Sequence, residues 1–400
     1  MPSEFHHLFH RELESGLRGL GAKSLTRTLA EIQGVNLCSN DYLGLAEHPA
    51  LHIAAVEAVR KATRVGGTGS RLLSGHSQSW NELEENFAQF VGTEATLYFG
   101  SGYAANLGLL ASLLGRDDLV FSDASNHASL IDGMRLSGAC RVIYPHLDLG
   151  ALESRLREHE QERCRKLVVT ESIFSMEGDV ADIAALLGLA ERYGAGLIVD
   201  EAHATAVHGP GGRGIVAEAG AAREIIASVH TCSKALASAG AFVCGSSLLK
   251  EHLINHARTF LFTTAMPPYM AGQIRAALDL ARDMDAQRAE LQATSTRLCS
   301  SLRAKGWDTA ASSTQIVPLL IGSNEEALDA AEYLQQEGFA VRAIRPPTVP
   351  EGSARLRFSL TCTIAAEEIS RLERSLSAWR AQGRVPGSSG ATATATAGRT

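Results

Sequence analysis

Between Ala95 and Cys244 the sequence alternates short apolar runs with helical stretches, and no other feature restricts the fold as strongly. The runs are Ala95–Phe99, Leu119–Ser122, Arg141–Tyr144, Leu167–Thr170, Leu197–Val199, Ile225–Val229 and Phe242–Cys244. They are mostly apolar throughout instead of alternating with polar residues, as strands buried on both faces are. Helical stretches at Ala104–Leu114, Leu149–Glu158 and Ile183–Tyr193 lie between several of them. Such alternation predicts an α/β fold with a mostly parallel, seven-stranded sheet covered by helices on both sides. Ligands on open sheets of this kind bind at the C-terminal ends of the strands.

The flanks read differently. From Phe5 apolar residues recur at Leu8, Phe9, Leu13, Leu17 and Leu20, the spacing of a helix with one apolar face that needs a partner. Asn36–Leu45 reads as a short strand running into a turn, Gly66–Arg71 as a glycine-rich loop, and Trp80, Leu83, Phe87 and Phe90 as one face of a helix. After Pro267-Pro268 the pattern becomes that of a small α+β unit. It comprises a long helix Gln273–Ala304, a strand Gln315–Ile321, a helix Glu325–Glu337, strands around Val341 and Arg355–Leu360, and a helix Ala365–Trp379. The expected division is an N-terminal arm 1–45, a large domain 46–270, a small C-terminal domain 271–385 and a low-complexity tail 386–400 expected to be disordered.

A net charge of −7 without a long basic run gives no footprint for nucleic acid or anionic membrane. The seven cysteines are scattered and never spaced C-x-x-C, which argues against a disulfide framework or a zinc site, so no metal is expected. No apolar run approaches the roughly 18 residues that span a bilayer. The first residues lack the basic and apolar blocks of a signal peptide, so the expected location is the cytoplasm.

The stretch from Leu197 to Lys234 concentrates chemistry at one edge of the predicted sheet. One strand ends in Asp200-Glu-Ala-His203, and a later one delivers Thr231-Cys-Ser-Lys234, followed by the small residues Ala-Leu-Ala-Ser-Ala-Gly. A lysine, a carboxylate and an imidazole converging there suit pyridoxal phosphate, with Lys234 as its Schiff-base amine. Asp200 would balance the pyridine nitrogen and His203 would reach the phenolic oxygen. Ser101-Gly102-Tyr103 opens a helix after a strand, so its free N–H groups would receive a phosphate. His127, after another strand, could stack on the cofactor ring, and Arg355 or Arg357 could take a substrate carboxylate. Each of these features is ordinary alone: strand-end carboxylates often cap helices, and two arginines alternating on a strand often line a solvated edge.

Two further motifs carry less. Gly209-Pro-Gly-Gly-Arg-Gly214 matches G-x-G-x-x-G in form, but it stands well past its strand and has proline at the second position, against a dinucleotide site. His252 and His256 share a helix face without the glutamate of H-E-x-x-H.

Taken together, Ser39–Leu45, Gly69–Arg71, Ser101–Asn106, Asn126–Gly133, Glu171–Asp179, Asp200–His203 and Thr231–Ala235 resemble, in order and over nearly the whole chain, the α-oxoamine synthases. These are fold-type I pyridoxal-phosphate enzymes that condense an amino acid with an acyl thioester and release CO₂. The resemblance implies that Lys234, His127 and Asp200 are catalytic. It implies that Ser101, Gly102, Tyr103, Glu171, Ser175, His203 and Thr231 also bind the cofactor. Arg27, Asn40, His127, Thr348 and Arg357 become substrate-side candidates, and a homodimer with sites at the interface is implied. Phe262–Pro268 and Arg345–Pro350 look most like the biotin-pathway branch, which joins L-alanine to a pimeloyl group on CoA or acyl carrier protein. The glycine acetyl-transferring, aminolevulinate-forming and serine palmitoyl-transferring branches are the alternatives, with a non-catalytic subunit of the same fold as a reading of another class. The chain departs from the family by writing Ala237, and also Ala241, where glycine is usual; alanine is acceptable there if φ is negative.

Overall fold

A computed structural model describes residues 4–31 and 33–383. After a short β1 (Val35–Asn36), the seven expected strands appear as β2 (Ala95–Phe99), β3 (Leu119–Asp123), β4 (Cys140–Tyr144), β5 (Lys166–Glu171), β6 (Gly196–Asp200), β7 (Ala227–Thr231) and β8 (Ala241–Gly245). They form one sheet in the order β2-β8-β7-β6-β5-β3-β4, parallel except for β8, which runs antiparallel to both neighbours. Val168, Val169, Ile198, Val199, Ala227 and Val229 are all inaccessible to solvent, which is why these strands carry no polar alternation.

The second unit contains β9 (Ile316–Gly322), β10 (Phe339–Ala340), β11 (Ala343–Ile344) and β12 (Ala354–Ser359). Strands β11, β12 and β9 make an antiparallel sheet, and β10 pairs with β1, so the N-terminal segment is tied to this unit. One apolar core runs from Trp80 and Phe87 beneath the large sheet to Phe358 and Trp379 in the small unit. The two units therefore share one core, and the cavity described below is lined by residues of both.

Two expectations are corrected. The strand expected at Ile225–Val229 begins two residues later: Ile225 packs into the core on one side of the sheet, and ladder pairing starts at Ala227. The segment 36–45 is, as expected, a short strand end running into a turn; Asp41 accepts the Leu45 and Ala46 N–H groups and closes it. The helix expected at Gln273–Ala304 is two, Tyr269–Arg282 and Asp285–Ala304. The buried guanidinium of Arg288 donates to the carbonyls of Ala281 (2.6 Å) and Arg282 (3.2 Å), capping the first helix where a backbone N–H would have continued it. The amphipathic helix is present as Glu4–Ala22, but Leu8, Phe9, Leu13, Leu17 and Leu20 are exposed in the single chain. No helix among the described residues is long and apolar enough to cross a membrane, and the tail 386–400 lies outside them.

Candidate functional site

The C-terminal ends of β3, β5, β6 and β7 deliver most of the chemistry-bearing residues to one edge. Lys234 stands in a closed loop after β7, pinned by Cys232 N–H to Gly240 O and Ser238 N–H to Cys232 O, both 2.9 Å. Its amine lies 2.8 Å from His203 Nε2. Burial pushes the lysine down to about 8, against the upward pull of Asp200 and Glu171. The same burial, with Lys234 adjacent, holds His203 well below the usual imidazole range, so the ring is neutral. Its Nδ1 lies 2.6 Å from the hydroxyl of Tyr42, which donates to Asn40 Oδ1 at 3.1 Å.

Asp200 ends β6 with both oxygens engaged: Oδ1 accepts from Ala202 N–H (2.9 Å) and Oδ2 from Asn106 Nδ2 (2.7 Å). Glu171 pairs with it in register on β5, and burial together with Asp200 raises its carboxyl well above the usual range. Its Oε1 accepts the backbone N–H of His127 at 2.6 Å, which fixes the start of the helix Ala128–Ser137. The His127 side chain lines the cavity while Nδ1 bonds Ser129 Oγ at 2.7 Å.

Ser101 caps the helix Gly102–Leu113, its hydroxyl accepting from Ala104 N–H. A Cβ on Gly102 would lie 2.7 Å from the Thr231 methyl, so only glycine lets strand end and helix start approach this closely. The Tyr103 hydroxyl bonds Asp132, and its ring meets His127 edge-on at 6.4 Å. These N–H groups begin a helix, where an anion is held without a lysine or arginine.

Arg355 and Arg357 are buried, contrary to a solvated sheet edge. Arg357 donates Nε to Ser175 O (2.5 Å) and both Nη atoms to Asn40 Oδ1 (3.2 Å each). Arg355 donates to Met176 O and Glu177 Oε1, both 3.2 Å. The resulting cavity of about 620 Å³ is lined by Asn40, His127, Ser175, His203, Lys234, Thr348 and Arg357 among others. Of the remaining candidates, Asp200, Glu171 and Thr231 are buried behind it, and Ser101 to Tyr103 sit at the neighbouring helix start. Arg27 does not line it; it is exposed and donates to Pro346 O at 3.1 Å, next to the lining residues Pro347 and Thr348.

The family model for aminotransferase class I and II matches residues 32–376. A protein of Geobacter sulfurreducens named 8-amino-7-oxononanoate synthase is 45% identical over 387 residues, covering 96% of this chain and 98% of that protein. A protein of the same name from Azoarcus is 47% identical over 339 residues, covering 85% and 86%. The chain belongs to the aminotransferase class I and II family.

Among solved structures, serine palmitoyltransferase from S. paucimobilis superposes with a TM-score of 0.86 at 28% identity, covering 94% of this chain and 98% of that one. The 8-amino-7-oxononanoate synthase of Francisella tularensis superposes at 0.75 and 26% identity, covering 88% and 98%. Pyridoxal phosphate is the cofactor of this family of folds, and the donor set here fits it. An amine whose proton is loosened by burial, a fixed carboxylate, a ring available for stacking and a helix start for the phosphate all reach one edge. The fold class and the cofactor expected from the sequence both hold.

Three contacts were not anticipated: Tyr42 to His203, Asn106 to Asp200, and Gln315 Nε2 donating to His203 O at 2.9 Å. Tyr42 and Asn106 stand inside the ordered motifs, so position marked them, but their partners lie 161 and 94 residues away. The Gly209–Gly214 loop also acquires a reason. A Cβ on Gly214 would lie 1.7 Å from Glu201 Oε2, so the glycines let the loop lie over a buried carboxyl instead of a nucleotide. Ala237 departs from expectation as well: its φ is +44°, in the left-handed region. Ala241 is extended within β8 and unstrained.

Proposed function

We propose that the protein joins L-alanine to a pimeloyl thioester, on CoA or acyl carrier protein, with loss of CO₂, to give 8-amino-7-oxononanoate for biotin synthesis. One juxtaposition carries the reading: the Lys234 amine and the Arg357 guanidinium line the same cavity, with His127 beside them. An amino acid held by its carboxylate at Arg357 would present its α-carbon toward Lys234. Identity near 45% to proteins named for this reaction supports the choice of substrate.

Pyridoxal phosphate, when bound, withdraws electrons from the amino acid's α-carbon. Lys234, Asp200, His127, His203, Glu171, Ser175, Thr231 and the Ser101–Tyr103 helix start are the residues that would hold it. Lys234 Nζ, pushed down to about 8 and so neutral in a far larger share than a free lysine, takes the α-proton. The α-carbon then bonds to the thioester carbonyl carbon, the thiolate leaves, the former alanine carboxylate departs as CO₂, and the α-carbon takes a proton back from Lys234. Asn40 fixes Arg357 for the carboxylate, Thr348 borders the acyl path, and Arg27 holds the Pro346-Pro347 turn on which Thr348 stands.

The reading includes a cytoplasmic homodimer and the division into arm 1–45, large domain 46–270 and small domain 271–385. Supporting the dimer are exposed apolar side chains on the helix Glu4–Ala22, Ile53, Val56 and Val59 on the helix Pro49–Lys61, and Leu72, Leu73 and Phe262. Sedimentation at micromolar concentration tests it, with two chains expected and a stable monomer counting against it.

The higher TM-score to serine palmitoyltransferase gives a second reading something to stand on, so the deciding assay includes it. Purified holoprotein is offered alanine, glycine or serine with pimeloyl-, acetyl-, succinyl- or palmitoyl-CoA and with pimeloyl carrier protein. Alanine with a pimeloyl donor is expected to give the highest kcat/KM. No turnover with that pair would sink the proposal.

A further inference from the structure

His146 stands just beyond β4, outside the cavity, yet its ring joins the two segments that border it. Nδ1 lies 2.9 Å from Oδ1 of Asp123, and Nε2 lies 3.0 Å from Oδ2 of Asp179. Carboxylates accept only, so both ring nitrogens carry protons and the imidazole is a cation between two acids. Asp123 is fully buried and Asp179 nearly so. The ring also sits edge-on to Phe174 at 4.4 Å.

What each carboxylate holds gives the bridge its meaning. Asp123 ends β3 and organises the turn to His127, accepting Ser125 N–H (2.8 Å) on one oxygen and Leu147 N–H (2.8 Å) on the other. Asp179 closes the opposite turn, its carbonyl accepting Phe174 N–H at 3.1 Å. That turn presents Ser175, Met176 and Glu177 to the cavity, and these three hold Arg357 and Arg355. A continuous set of contacts thus runs from His127 through Asp123, His146 and Asp179 to Arg357. Among the described residues Asp179 Oδ1 has no hydrogen-bond partner, and His146 is the only group its side chain bonds.

We propose that His146 is a positioning residue that sets the separation between His127 and Arg357, and thereby the placement of the amino-acid substrate between the cofactor site and the small unit. The proposal rests on the condensation reading and deepens it. His146 lies outside the cavity; it acts through two loops that, among the described residues, share no other ion pair. The His127 turn is also held from β5 by Glu171, but two charge-assisted bonds from one rigid ring tie that turn to the one that presents Ser175.

Holoenzymes of wild type, His146→Gln, Asp179→Asn and the double variant test it. Gln cannot reach both carboxylates, whereas Asn at 179 leaves the ring bonded to Asp123. Per folded, cofactor-loaded site, each single variant should lose about tenfold or more in kcat/KM for L-alanine, since small misplacements of bound groups cost up to about 100-fold. KM for alanine should rise while KM for the thioester stays unchanged, and the visible band of the bound cofactor should shift. The double variant should be no worse than the poorer single, because both cut one connection. Wild-type kinetics and spectrum in the single variants would overturn the proposal, as would activity lost only in proportion to folded protein, or additive losses. If His146→Gln does not fold, Asp179→Asn alone decides by the same KM split. A wild-type enzyme inactive with alanine and a pimeloyl donor would instead defeat the condensation reading itself.

Discussion

The hydroxyl of Tyr42 lies 2.6 Å from Nδ1 of His203, joining the segment after β1 to the end of β6. Because Tyr42 also donates to Asn40, and Asn40 accepts from Arg357, the lysine amine and the substrate-side guanidinium belong to one polar network.

Removing the central hydroxyl leaves a buried imidazole nitrogen unpaired, at a cost of about 1–3 kcal/mol. Tyr42→Phe should lower the thermal midpoint and reduce kcat about tenfold, the order of that energy. The loss should be much smaller when His203→Ala is already present. Steady-state kinetics of the two single variants and the double variant check this; additive losses would break the link.

Lys234 carries a pH signature. With its amine pushed down to about 8, apoprotein should capture pyridoxal phosphate faster as pH rises, with a midpoint near 8 instead of the value above 10 of a free lysine. Stopped-flow absorbance follows the capture. Lys234→Ala should keep the fold by circular dichroism and lose turnover altogether.

Arg357→Lys keeps the charge but cannot bond Ser175 O and Asn40 Oδ1 together in the planar fork. KM for alanine should rise about tenfold or more, by the roughly 1.5–3 kcal/mol of a charged hydrogen bond. The KM for the thioester should hold. An unchanged KM for alanine would remove Arg357 from the substrate site.

At Ala237 the positive φ is a cost that glycine would not bear, about 1–2 kcal/mol less the entropy glycine loses on folding. Ala237→Gly should therefore raise stability by about 1 kcal/mol in a denaturant titration. A destabilised variant would show that neighbouring packing dominates.

His146 is raised to about 10 by its two carboxylates, which outweigh the opposing effect of burial. A folded-state value above the unfolded one means its stabilisation is complete below about pH 6.5 and fades as pH rises towards 10. Thermal midpoints of wild type should fall over that window more steeply than those of His146→Gln. Parallel profiles would contradict the assignment.

The sheet was legible because seven apolar runs of strand length announce themselves locally. What local pattern cannot reveal is which of two adjacent β-branched residues enters the ladder: Ile225 and Ile226 are the most strand-like pair near β7, yet pairing begins at Ala227. The break between the helices Tyr269–Arg282 and Asp285–Ala304 depends on Arg288 folding back onto carbonyls, a tertiary act by a residue that is a good helix former. At the site, Lys234, Asp200, His203 and His127 were readable because strand ends of a parallel sheet converge. Tyr42, Asn106 and His146 were not assigned roles, since their importance lies in partners far along the chain. The helix Glu4–Ala22 showed its apolar face in the sequence, but nothing among the described residues covers it.

Arg357 can be counted proton by proton. Of the five N–H donors of a guanidinium, Nε serves Ser175, the two on Nη1 serve Asn40 and Ser359, and one on Nη2 serves Asn40. One donor is left for an incoming carboxylate. A two-pronged grip therefore requires Asn40 or Ser359 to give up one Nη donor, and a release by Asn40 would be felt by Tyr42, which donates to the same oxygen. Through Asn40, the hydrogen bonds of the substrate-side guanidinium and the chain that runs by Tyr42 and His203 to the lysine amine share one acceptor oxygen.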